Sequence, residues 1–238
     1  MNKVLIVGAT SGIGRALAQR YAADNWLVGI TGRRRALLDS LQQDFPDNIL
    51  TECFDVTHDE NIDCIKNLIQ QLGGLDLLIY NSGYGEPSEQ LDWEIDKNTV
   101  LTNVNGFAEI ANFAFNYFVL EGKGHIAATS SIAAIRGNSF APAYSASKAY
   151  ISNYLEGLYI KAFKLKLPVY ITDIQPGFIK TNMAKGNGQF WVAPVDKAAE
   201  QIYEGIKNKK RKLYITKRWW LIARLMHCIP IGIYKKLG

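Results

Sequence analysis

The sequence predicts a doubly wound α/β fold, in which helices cover both faces of a parallel β-sheet. Three observations support this: short apolar runs alternate with helix-length segments, most runs are continuously apolar, and the chain has 238 residues. Continuous apolarity is typical of parallel strands because both of their faces are covered. The alternation indicates right-handed βαβ units, and the length suits one domain better than two.

Seven strands are predicted from the apolar runs. They are Val4–Val7, Leu27–Ile30, Ile49–Phe54, Leu75–Tyr80, Ile126–Thr129, Val169–Ile174 and Leu213–Ile215. Segments with helical periodicity lie between them, near residues 13–23, 35–45, 58–72, 92–119, 143–164 and 195–207. Thr57 and Glu60 have the spacing of a capping box at the start of the third helix. No linker or repeat interrupts residues 1–216, which we assign to one domain, with residues 217–238 as a C-terminal tail.

The composition excludes several classes of protein. Hydrophobic residues make up 48% and charged residues 21% of the chain, which are ordinary globular values. The three cysteines and three histidines are widely separated, so neither a disulfide framework nor a metal site is predicted. Such cysteine usage favours a reducing compartment, and we expect a cytoplasmic protein. We expect neither a secretion signal nor an apolar stretch of the ~20 residues that span a bilayer.

The basic residues are concentrated near the C-terminus. The net charge is +5, but Glu204 is the last acidic residue and ten basic residues follow it. Subtracting those ten from the 27 Lys and Arg leaves 17 against 22 Asp and Glu, so residues 1–204 carry a net charge of −5. A body with this charge is not expected to bind nucleic acid, because binding depends on neutralising phosphates.

Glycines follow the first strand in a spacing typical of a phosphate-binding turn. The segment Gly8-Ala9-Thr10-Ser11-Gly12-Ile13-Gly14 leads directly into a helical run. Glycine lets the backbone approach a pyrophosphate closely, and free N–H groups at the helix N-terminus then bind the anion. The spacing differs from the general dinucleotide fingerprint G-x-G-x-x-G. The alternative is a glycine-rich turn that binds no ligand.

This turn resembles the cofactor-binding turn of the short-chain dehydrogenase/reductase family, in its single-domain branch. The resemblance spans roughly residues 3–215 and implies a Rossmann-type fold that binds NAD(H) or NADP(H). Within the turn it implies cofactor contacts from Gly8, Thr10, Ser11, Gly12, Ile13 and Gly14. Beyond the turn it implies contacts from Asp55 and Val56 at the adenine, Asn81 and Gly83 after the fourth strand, and Pro176, Gly177 and Thr181 at the nicotinamide. Ser82 stands where the family usually has alanine, and Asp55 by itself fits an ordinary helix-preceding aspartate equally well.

Arginines at the end of the second strand indicate which cofactor binds. An NAD-selective site places a carboxylate there for the ribose 2′-hydroxyl, whereas the 2′-phosphate of NADP(H) needs arginine. Gly32 occupies the expected position of the acid, and Arg33 and Arg34 follow it. Because a guanidinium can bind phosphate through two hydrogen bonds, we predict NADP(H), with Arg33 as main ligand and Arg34 as second. The alternative is a solvated basic start of a helix.

The spacing of Tyr144 and Lys148 is the strongest indication of chemistry. An i, i+4 pair shares one helical face, and Ser131, thirteen residues before the tyrosine, ends a strand at the edge where α/β sheets bind ligands. A cation ~4 Å from the phenol at an effective dielectric of ~20 is expected to lower its pKa by about three units. That shift would make the tyrosine an effective general acid/base. Tyr203 and Lys207 have the same spacing without the serine, and we predict a surface helix face there.

In the family that these residues resemble, the tyrosine exchanges a proton with the substrate and the serine hydrogen-bonds to the substrate oxygen. The lysine tunes the tyrosine and binds the nicotinamide ribose, so that Tyr144 and Lys148 also contact the cofactor. An asparagine on the preceding helix completes a proton relay, and Asn103 matches it. Asn103 also fits a buried, helix-bending asparagine, and Asn105 is a neighbouring candidate.

The resemblance implies an enzyme that moves a hydride between nicotinamide and a carbonyl or alcohol carbon of a small molecule, acting as a homo-oligomer. The alternative is a non-catalytic NADP(H)-sensing or scaffold protein, which the complete Asn–Ser–Tyr–Lys set disfavours. A nucleotide-sugar epimerase would need a longer chain with a C-terminal substrate domain.

Residues 182–193 have the composition of a substrate lid or of an ordinary connection. The segment Gly186-Asn187-Gly188 precedes Gln189, Phe190 and Trp191, and flexible glycines beside aromatic residues suit a lid. These aromatic residues, with the apolar tail, favour a hydrophobic substrate.

The tail has the pattern of an amphipathic helix that lies in a membrane interface. Lys217, Arg224 and His227 fall on one helical stripe, and most other positions are apolar. Trp219 and Trp220 suit the depth of lipid headgroups, and the basic residues suit anionic lipid. We therefore expect peripheral association with the inner membrane surface, against two alternatives: packing on a partner subunit, or covering the mouth of the substrate site.

Overall fold

The fold consists of one parallel seven-stranded sheet with helices on both faces. The computed structural model of the chain describes residues 1–59, 61–181 and 190–236. The strands are β1 (Lys3–Val7), β2 (Leu27–Gly32), β3 (Ile49–Cys53), β4 (Leu77–Tyr80), β5 (Gly124–Thr129), β6 (Val169–Pro176) and β7 (Lys212–Ile215). They lie in the order β3-β2-β1-β4-β5-β6-β7, and every neighbouring pair is parallel. The predicted doubly wound fold is confirmed.

The helices between the strands divide into two layers. They are α1 (Gly12–Ala23), α2 (Arg35–Asp44), α3 (Asn61–Leu72), α4 (Trp93–Val100), α5 (Gly106–Leu120), α6 (Pro142–Leu165) and α7 (Val195–Lys207). One apolar cluster joins the sheet to α1, α2 and α7, and a second joins it to α3, α5 and α6. In β1, Val4 and Ile6 belong to the first cluster, whereas Leu5 and Val7 belong to the second. This is why the four strand residues after Lys3 are all apolar.

The strand order places a crevice next to the first glycine turn. From β1 the chain moves outward to β2 and β3, and then returns to form β4 on the other side of β1. At such a switch point the connections diverge, leaving a crevice at the carboxyl ends of the strands. The turn after β1 and the segment after β4 therefore face the same space.

The single helix predicted near residues 92–119 is interrupted in the structure. A π-helical segment, Leu101–Asn105, separates α4 from α5. A side chain at Gly106 would collide with the backbone carbonyl of Val56, so α5 packs closely at its start. Hydrophobic periodicity does not reveal such a change in helical pitch, and single π-turns of this kind are frequent at functional sites.

The capping box predicted at Thr57 does not mark the start of the third helix. The Thr57 amide and hydroxyl both donate to the Asp55 carboxylate, at 3.0 and 2.9 Å, and α3 begins at Asn61. The other member of the predicted box, Glu60, lies outside the described residues.

The tail after β7 forms two short helices, α8 (Trp219–Cys228) and α9 (Ile231–Tyr234). The boundary predicted at residue 216 falls between β7 and α8. Within the described ranges, no helix combines the length and apolar character needed to cross a membrane.

Candidate active site

A cleft of about 1630 Å³ runs along the carboxyl edge of the sheet. It extends from the turn after β1, past the ends of the central strands, to the C-terminal tail. Every predicted site residue except Gly14 and Asn103 lines this cleft. Residues that are far apart in the chain, such as Gly8 and Pro176, thus share one space.

The glycine turn has the geometry that an anion-binding backbone requires. Gly8 and Gly12 have φ values of +88° and +56°, which favour glycine. A Cβ atom on Gly8 would lie 2.6 Å from the Ser82 nitrogen, and one on Gly14 would collide with the Gly8 carbonyl oxygen. Because α1 begins at Gly12, its unpaired first N–H groups are at this turn. Gly14 packs the helix onto the turn and so supports the cleft from behind.

The two arginines after β2 take different positions. Arg34 donates from Nη2 to the Ser11 hydroxyl at 2.8 Å, and its guanidinium also donates to the Thr10 hydroxyl. Arg33 is 64% exposed and pairs with Asp55 at 3.3 Å. A side chain at Gly32 would collide with the Thr10 methyl group. Arg34, predicted as the second ligand, therefore lies closer to the glycine turn than Arg33 does.

Asp55 is an ionised carboxylate at this end of the cleft. Burial alone would raise the pKa of its carboxyl group, but hydrogen bonds from Thr57 and the charge and hydrogen bond of Arg33 outweigh burial and lower it. Val56, the next residue, is buried and also lines the cleft. Asp55 thus neutralises part of the charge on Arg33.

Asn81 fixes the spacing between the central strands. Its Nδ2 donates to the Gly8 carbonyl at 3.2 Å, and its Oδ1 accepts from the Thr129 hydroxyl at 3.0 Å. One side chain thereby links the turn after β1 to the end of β5. Gly83 lies two residues further on, in the lining of the cleft.

Tyr144, Ser131 and Lys148 converge at the centre of the cleft. Ser131 directly follows the short loop after β5, and its side chain hydrogen-bonds to the Tyr144 phenol. Lys148 lies one helical turn after Tyr144, with Nζ 5.6 Å from the centre of the phenol ring. The Lys148 amine also donates to the Thr129 carbonyl at 2.9 Å. The structure therefore brings Tyr144 and Lys148 together with Ser131, as the sequence predicted.

The pKa of Tyr144 is raised, whereas the sequence predicted that Lys148 would lower it. Burial raises the pKa of the phenol above its ordinary value, and the hydrogen bond from Ser131 opposes this in part. The expected lowering by Lys148 does not outweigh burial, and the Lys148 amine donates to the Thr129 carbonyl. A phenol with a raised pKa keeps its proton at neutral pH.

Lys148 carries a buried charge with one supporting carboxylate. Burial lowers the pKa of its amine to about 8, and the negative charge of Asp173 opposes this shift. Asp173 is itself buried, and it accepts hydrogen bonds from Ser152 at 2.6 Å and Gln175 at 2.8 Å. Asp173 therefore helps to keep the Lys148 ammonium protonated.

Asn103 lies in the π-helical segment and is fully buried. Its Oδ1 accepts from the Tyr84 amide at 2.8 Å, and its Nδ2 donates to the Tyr84 carbonyl at 2.7 Å and to Ser147 at 2.9 Å. Asn105 is exposed. The side chain of Asn103 thus holds the loop after β4 against α6, next to Tyr144.

Comparison with known proteins identifies the family. The family model for short chain dehydrogenases matches residues 2–190. An uncharacterized oxidoreductase from Myxococcus xanthus is 34% identical over 189 residues, covering 77% of this chain and 74% of that protein. An uncharacterized oxidoreductase from Mycobacterium tuberculosis is 27% identical, covering 99% of this chain and 97% of its own length.

The chain belongs to the short-chain dehydrogenase family. Its fold is similar to that of a 3-ketoacyl-(acyl-carrier-protein) reductase from Brucella melitensis solved with NADH, with a TM-score of 0.79 and 20% identity. That match covers 90% of this chain and 96% of the other. An NADPH-dependent 3-quinuclidinone reductase from Rhodotorula rubra gives a TM-score of 0.76 and 23% identity, covering 90% of this chain and 89% of the other. The protein is thus an oxidoreductase of a family that uses nicotinamide cofactors.

In this short-chain dehydrogenase, the loop after β6 closes one side of the cleft. Pro176 ends β6, and the Gly177 amide donates to the Ile215 carbonyl at 2.6 Å. The methyl group of Thr181 would lie 3.3 Å from a Cβ atom on Gly12, so Thr181 faces the glycine turn. The predicted nicotinamide loop therefore adjoins the predicted phosphate turn.

The tail of this dehydrogenase covers the apolar end of the cleft. Trp219 is 2% exposed, and a side chain at Gly177 would collide with its indole ring. The ring packs edge-to-face on Phe178 at 5.5 Å and lies 5.1 Å from Phe190. The sequence predicted both tryptophans at the depth of lipid headgroups. Trp219 is buried, so this prediction is wrong for Trp219, whereas Trp220 is exposed. Covering the substrate mouth was one of the alternatives for the tail.

The predicted lid can be described only at its end. Residues 182–189, including Gly186-Asn187-Gly188 and Gln189, lie outside the described residues. Phe190 lines the cleft, and Arg218 donates to the Trp191 carbonyl at 2.9 Å. The start of the tail thus holds the residues that follow the predicted lid.

The second Tyr–Lys pair lies only partly on a surface helix face, because Lys207 is exposed but Tyr203 is not. Tyr203 is 4% exposed, and its hydroxyl donates to Asp24 where α7 packs on α1. The prediction of a solvated face was wrong for Tyr203, because apolar packing against α1 buries the ring.

The sequence motifs did not identify several residues of the site. A side chain at Gly85 would collide with the Tyr144 ring, and Thr129 acts through its backbone carbonyl, which no residue type reveals. Asp173 could have been identified from the sequence, because it is an acidic residue inside a mostly apolar strand. Arg136 lines the cleft and fixes the tail, which only the tertiary structure reveals.

Proposed function

We propose that the protein is an NADP(H)-dependent oxidoreductase that interconverts a carbonyl group and an alcohol on a hydrophobic small molecule. One observation supports this most strongly. The Tyr144 phenol, with its hydrogen bond from Ser131, lies in the same cleft as the Gly8–Gly14 turn. An anion-binding turn and a proton donor within one space are what carbonyl reduction by a dinucleotide needs.

The residues present fit a dinucleotide. Gly8 and Gly14 approach each other closely and carry no side chains, so the backbone of the turn is uncovered. A pyrophosphate can then contact the first N–H groups of α1. The family resemblance assigns the adenine to Asp55 and Val56. It assigns the nicotinamide side to Pro176, Gly177 and Thr181, with Asn81 and Gly83 between the two ends.

The preference for NADP(H) is supported by the charges beside Gly32. Arg33 and Arg34 both line the cleft, and the nearby carboxylate of Asp55 is engaged by Arg33 and Thr57. A 2′-phosphate placed here would meet two guanidinium groups. Arg34 can supply charge-assisted hydrogen bonds by releasing its bonds to the neutral hydroxyls of Thr10 and Ser11.

Four side chains take part in the proposed proton chemistry. The bound, reduced cofactor supplies the hydride that adds to the carbonyl carbon. When substrate is bound, the Ser131 hydroxyl turns from Tyr144 to donate its hydrogen bond to the carbonyl oxygen. Tyr144 transfers its phenolic proton to that oxygen as the alcohol forms. The ammonium group of Lys148 stabilises the phenolate that remains. Asn103 holds the loop beside Tyr144, and we assign it to the proton relay that returns a proton to the phenol.

The apolar end of the cleft supports a hydrophobic substrate. Phe178, Phe190, Trp219, Ile222 and Met226 line it. Burial of apolar substrate area against such side chains contributes roughly 25 cal/mol per Å². We also propose a homo-oligomer, supported by exposed apolar side chains along α6, of which Phe163 is 77% exposed.

The proposed function is tested with a panel of lipophilic ketones and aldehydes, monitored by the absorbance of NADPH. We expect turnover with at least one carbonyl and faster turnover with NADPH than with NADH. A protein that binds NADPH but turns over no member of the panel would instead support the non-catalytic sensor of the same fold. A protein that binds neither nucleotide would contradict the proposal.

A further inference from the structure

The two helices of the tail have an inner and an outer face. On the inner face, Trp219 and Ala223 are buried, and Ile222 and Met226 line the cleft. Arg136 holds the end of α8 in this position, donating to the Met226 carbonyl at 3.1 Å and the Ile229 carbonyl at 2.7 Å. The orientation of the tail is therefore determined by contacts with the body, and its other face is fixed with it.

The outer face exposes large apolar side chains. The exposed fractions are 45% for Trp220, 59% for Leu221, 58% for Leu225, 70% for Ile231 and 58% for Ile233. In α8, Leu221, Leu225 and Cys228 follow an i, i+4, i+7 spacing and lie on one side. Clusters of exposed apolar residues on a soluble surface mark interaction sites more often than isolated ones do.

The charged side chains of the tail itself, apart from the histidine, are all basic. Five basic residues lie in the tail and no acidic residue follows Glu204: the basic ones are Lys217, Arg218, Arg224, Lys235 and Lys236. Arg224 lies over the Trp220 ring at 4.9 Å, which places a guanidinium group beside an exposed indole. This combination of basic, aromatic and aliphatic side chains is what an anionic lipid interface binds.

We propose that the outer face of α8 and α9 docks on an anionic lipid surface. Trp220, Leu221 and Leu225 enter the headgroup layer, and the basic residues contact lipid phosphates. A symmetric contact between two copies of this face would bring positive charges together without an acidic partner from the tail. Charge complementarity therefore favours lipid over a second copy of the chain.

Docking in this orientation places α8 between the membrane and the apolar end of the cleft. The same helix contacts lipid with Leu221 and Leu225 and lines the cleft with Ile222 and Met226. One helix then separates the lipid from the apolar side chains proposed to bind the substrate. This consequence rests on the proposed function, whereas docking itself does not.

Co-sedimentation with vesicles tests docking independently of catalysis. We expect the unaltered protein to sediment with vesicles of phosphatidylglycerol and phosphatidylcholine, and to stay in solution with phosphatidylcholine alone or at high salt. The double variant Leu221→Ser/Leu225→Ser should bind about tenfold more weakly or worse. Lys217→Gln/Arg224→Gln should also bind about tenfold more weakly or worse.

The matched control is Leu120→Ser, because Leu120 is 87% exposed at the end of α5, on the opposite edge of the sheet from the cleft. This variant should bind vesicles as the unaltered protein does. Equal binding by the Leu221→Ser/Leu225→Ser variant, or no vesicle binding by the unaltered protein, would overturn the proposal. A fall in oligomeric mass in that variant without loss of vesicle binding would assign the face to a second copy and would also overturn it.

A fluorescent probe on Cys228 reports the orientation. Cys228 is exposed in the middle of the outer face, so an environment-sensitive probe attached there should shift to shorter wavelength when anionic vesicles are added. Protein carrying Cys228→Ser and treated in the same way controls for labelling elsewhere. An unchanged spectrum in protein that has sedimented with vesicles would contradict docking through this face.

Discussion

Lys148 carries its charge in a buried position, where the carboxylate of Asp173 opposes part of the effect of burial. Its amine donates to the Thr129 carbonyl, and Asp173 supports its protonated form. Because the pKa of the amine is about 8, the ammonium group loses its proton as the pH rises through that value. The proposed stabilisation of the Tyr144 phenolate then disappears.

The pH profile tests this role of Asp173. Activity should fall on the alkaline side near pH 8, and Asp173→Asn should move that fall to lower pH, because removing the negative charge lowers the pKa of Lys148. The measurement is kcat/KM against pH. Asp47→Asn, an exposed change in the loop before β3, should leave the profile unchanged. A purely structural role for Asp173 would reduce activity at every pH without moving the profile.

Arg33 and Arg34 should determine the cofactor preference. Arg33→Glu/Arg34→Glu is expected to lower the affinity for NADPH relative to NADH by about tenfold or more, because charged hydrogen bonds to the 2′-phosphate are lost. Fluorescence titration with both nucleotides measures the ratio. Arg35→Glu is the matched control: Arg35 begins α2 and is not among the described residues that line the cleft. A preserved NADPH preference in the double variant would remove the assignment.

At the scale of elements, sequence patterns were sufficient for every strand but not for every boundary. Strand β6 was predicted to end at Ile174, yet it continues to Pro176, which lies opposite Ile215 of β7. Gln175 is polar, so the apolar run ended early, although this residue is buried and hydrogen-bonded to Asp173. Buried polar side chains in a strand are satisfied by tertiary partners, which a periodic pattern does not contain.

The tail shows a second limit of sequence patterns. The sequence predicted that the tail is amphipathic, but it did not predict which tryptophan is buried. Trp219 is buried, and its neighbour Trp220 is exposed. Contacts with Gly177 and Phe178 decide between them. Those partners lie about 40 positions away in sequence, so no local pattern identifies them.

Gly177 should therefore be intolerant of a side chain. Gly177→Ala is expected to lower the free energy of unfolding by about 1–3 kcal/mol, because the new methyl group collides with the Trp219 ring. Gly157→Ala is the same substitution in the middle of α6 with open space around it, and should stabilise by about 1 kcal/mol or less. Urea denaturation measures both. Equal stabilities would show that Trp219 does not pack on Gly177 in solution.

At the scale of the whole molecule, His125 links stability to pH. It lies in β5 and is 8% exposed, and its Nε2 lies 2.8 Å from the Thr172 hydroxyl of β6. Burial, together with the charge of Lys209, lowers the pKa of its imidazole to about 4. In the unfolded chain the imidazole titrates near its ordinary value of 6.5. As the pH falls below 6.5, the unfolded state therefore binds a proton that the folded state does not.

Stability should fall by about 2 kcal/mol from this one group between pH 7 and pH 5. The measurement is urea denaturation at both pH values for the unaltered protein and for His125→Gln. The variant should lose stability less steeply over this interval, whatever its stability at pH 7. The same slope in both proteins would show that His125 titrates normally in the folded state.

The arrangement of the whole molecule followed from the order of its motifs. The glycine turn, Ser131 and the Tyr144–Lys148 pair were readable because each needs fixed residue types at fixed positions. The doubly wound topology then brings them to one edge of the sheet. The sequence did not reveal the hydrogen bond accepted by the Thr129 backbone carbonyl. It also did not reveal that the Tyr144 ring occupies the space that a side chain at Gly85 would need.

The most direct test of the proposed chemistry is the turnover of Tyr144→Phe with the best carbonyl substrate of the panel and NADPH. This change removes one hydroxyl group and keeps the ring against Gly85. We expect kcat to fall by a factor of about 10²–10⁴, as for loss of a general acid, while NADPH still binds. Unchanged turnover would mean that another group delivers the proton, and the account of this cleft would be wrong.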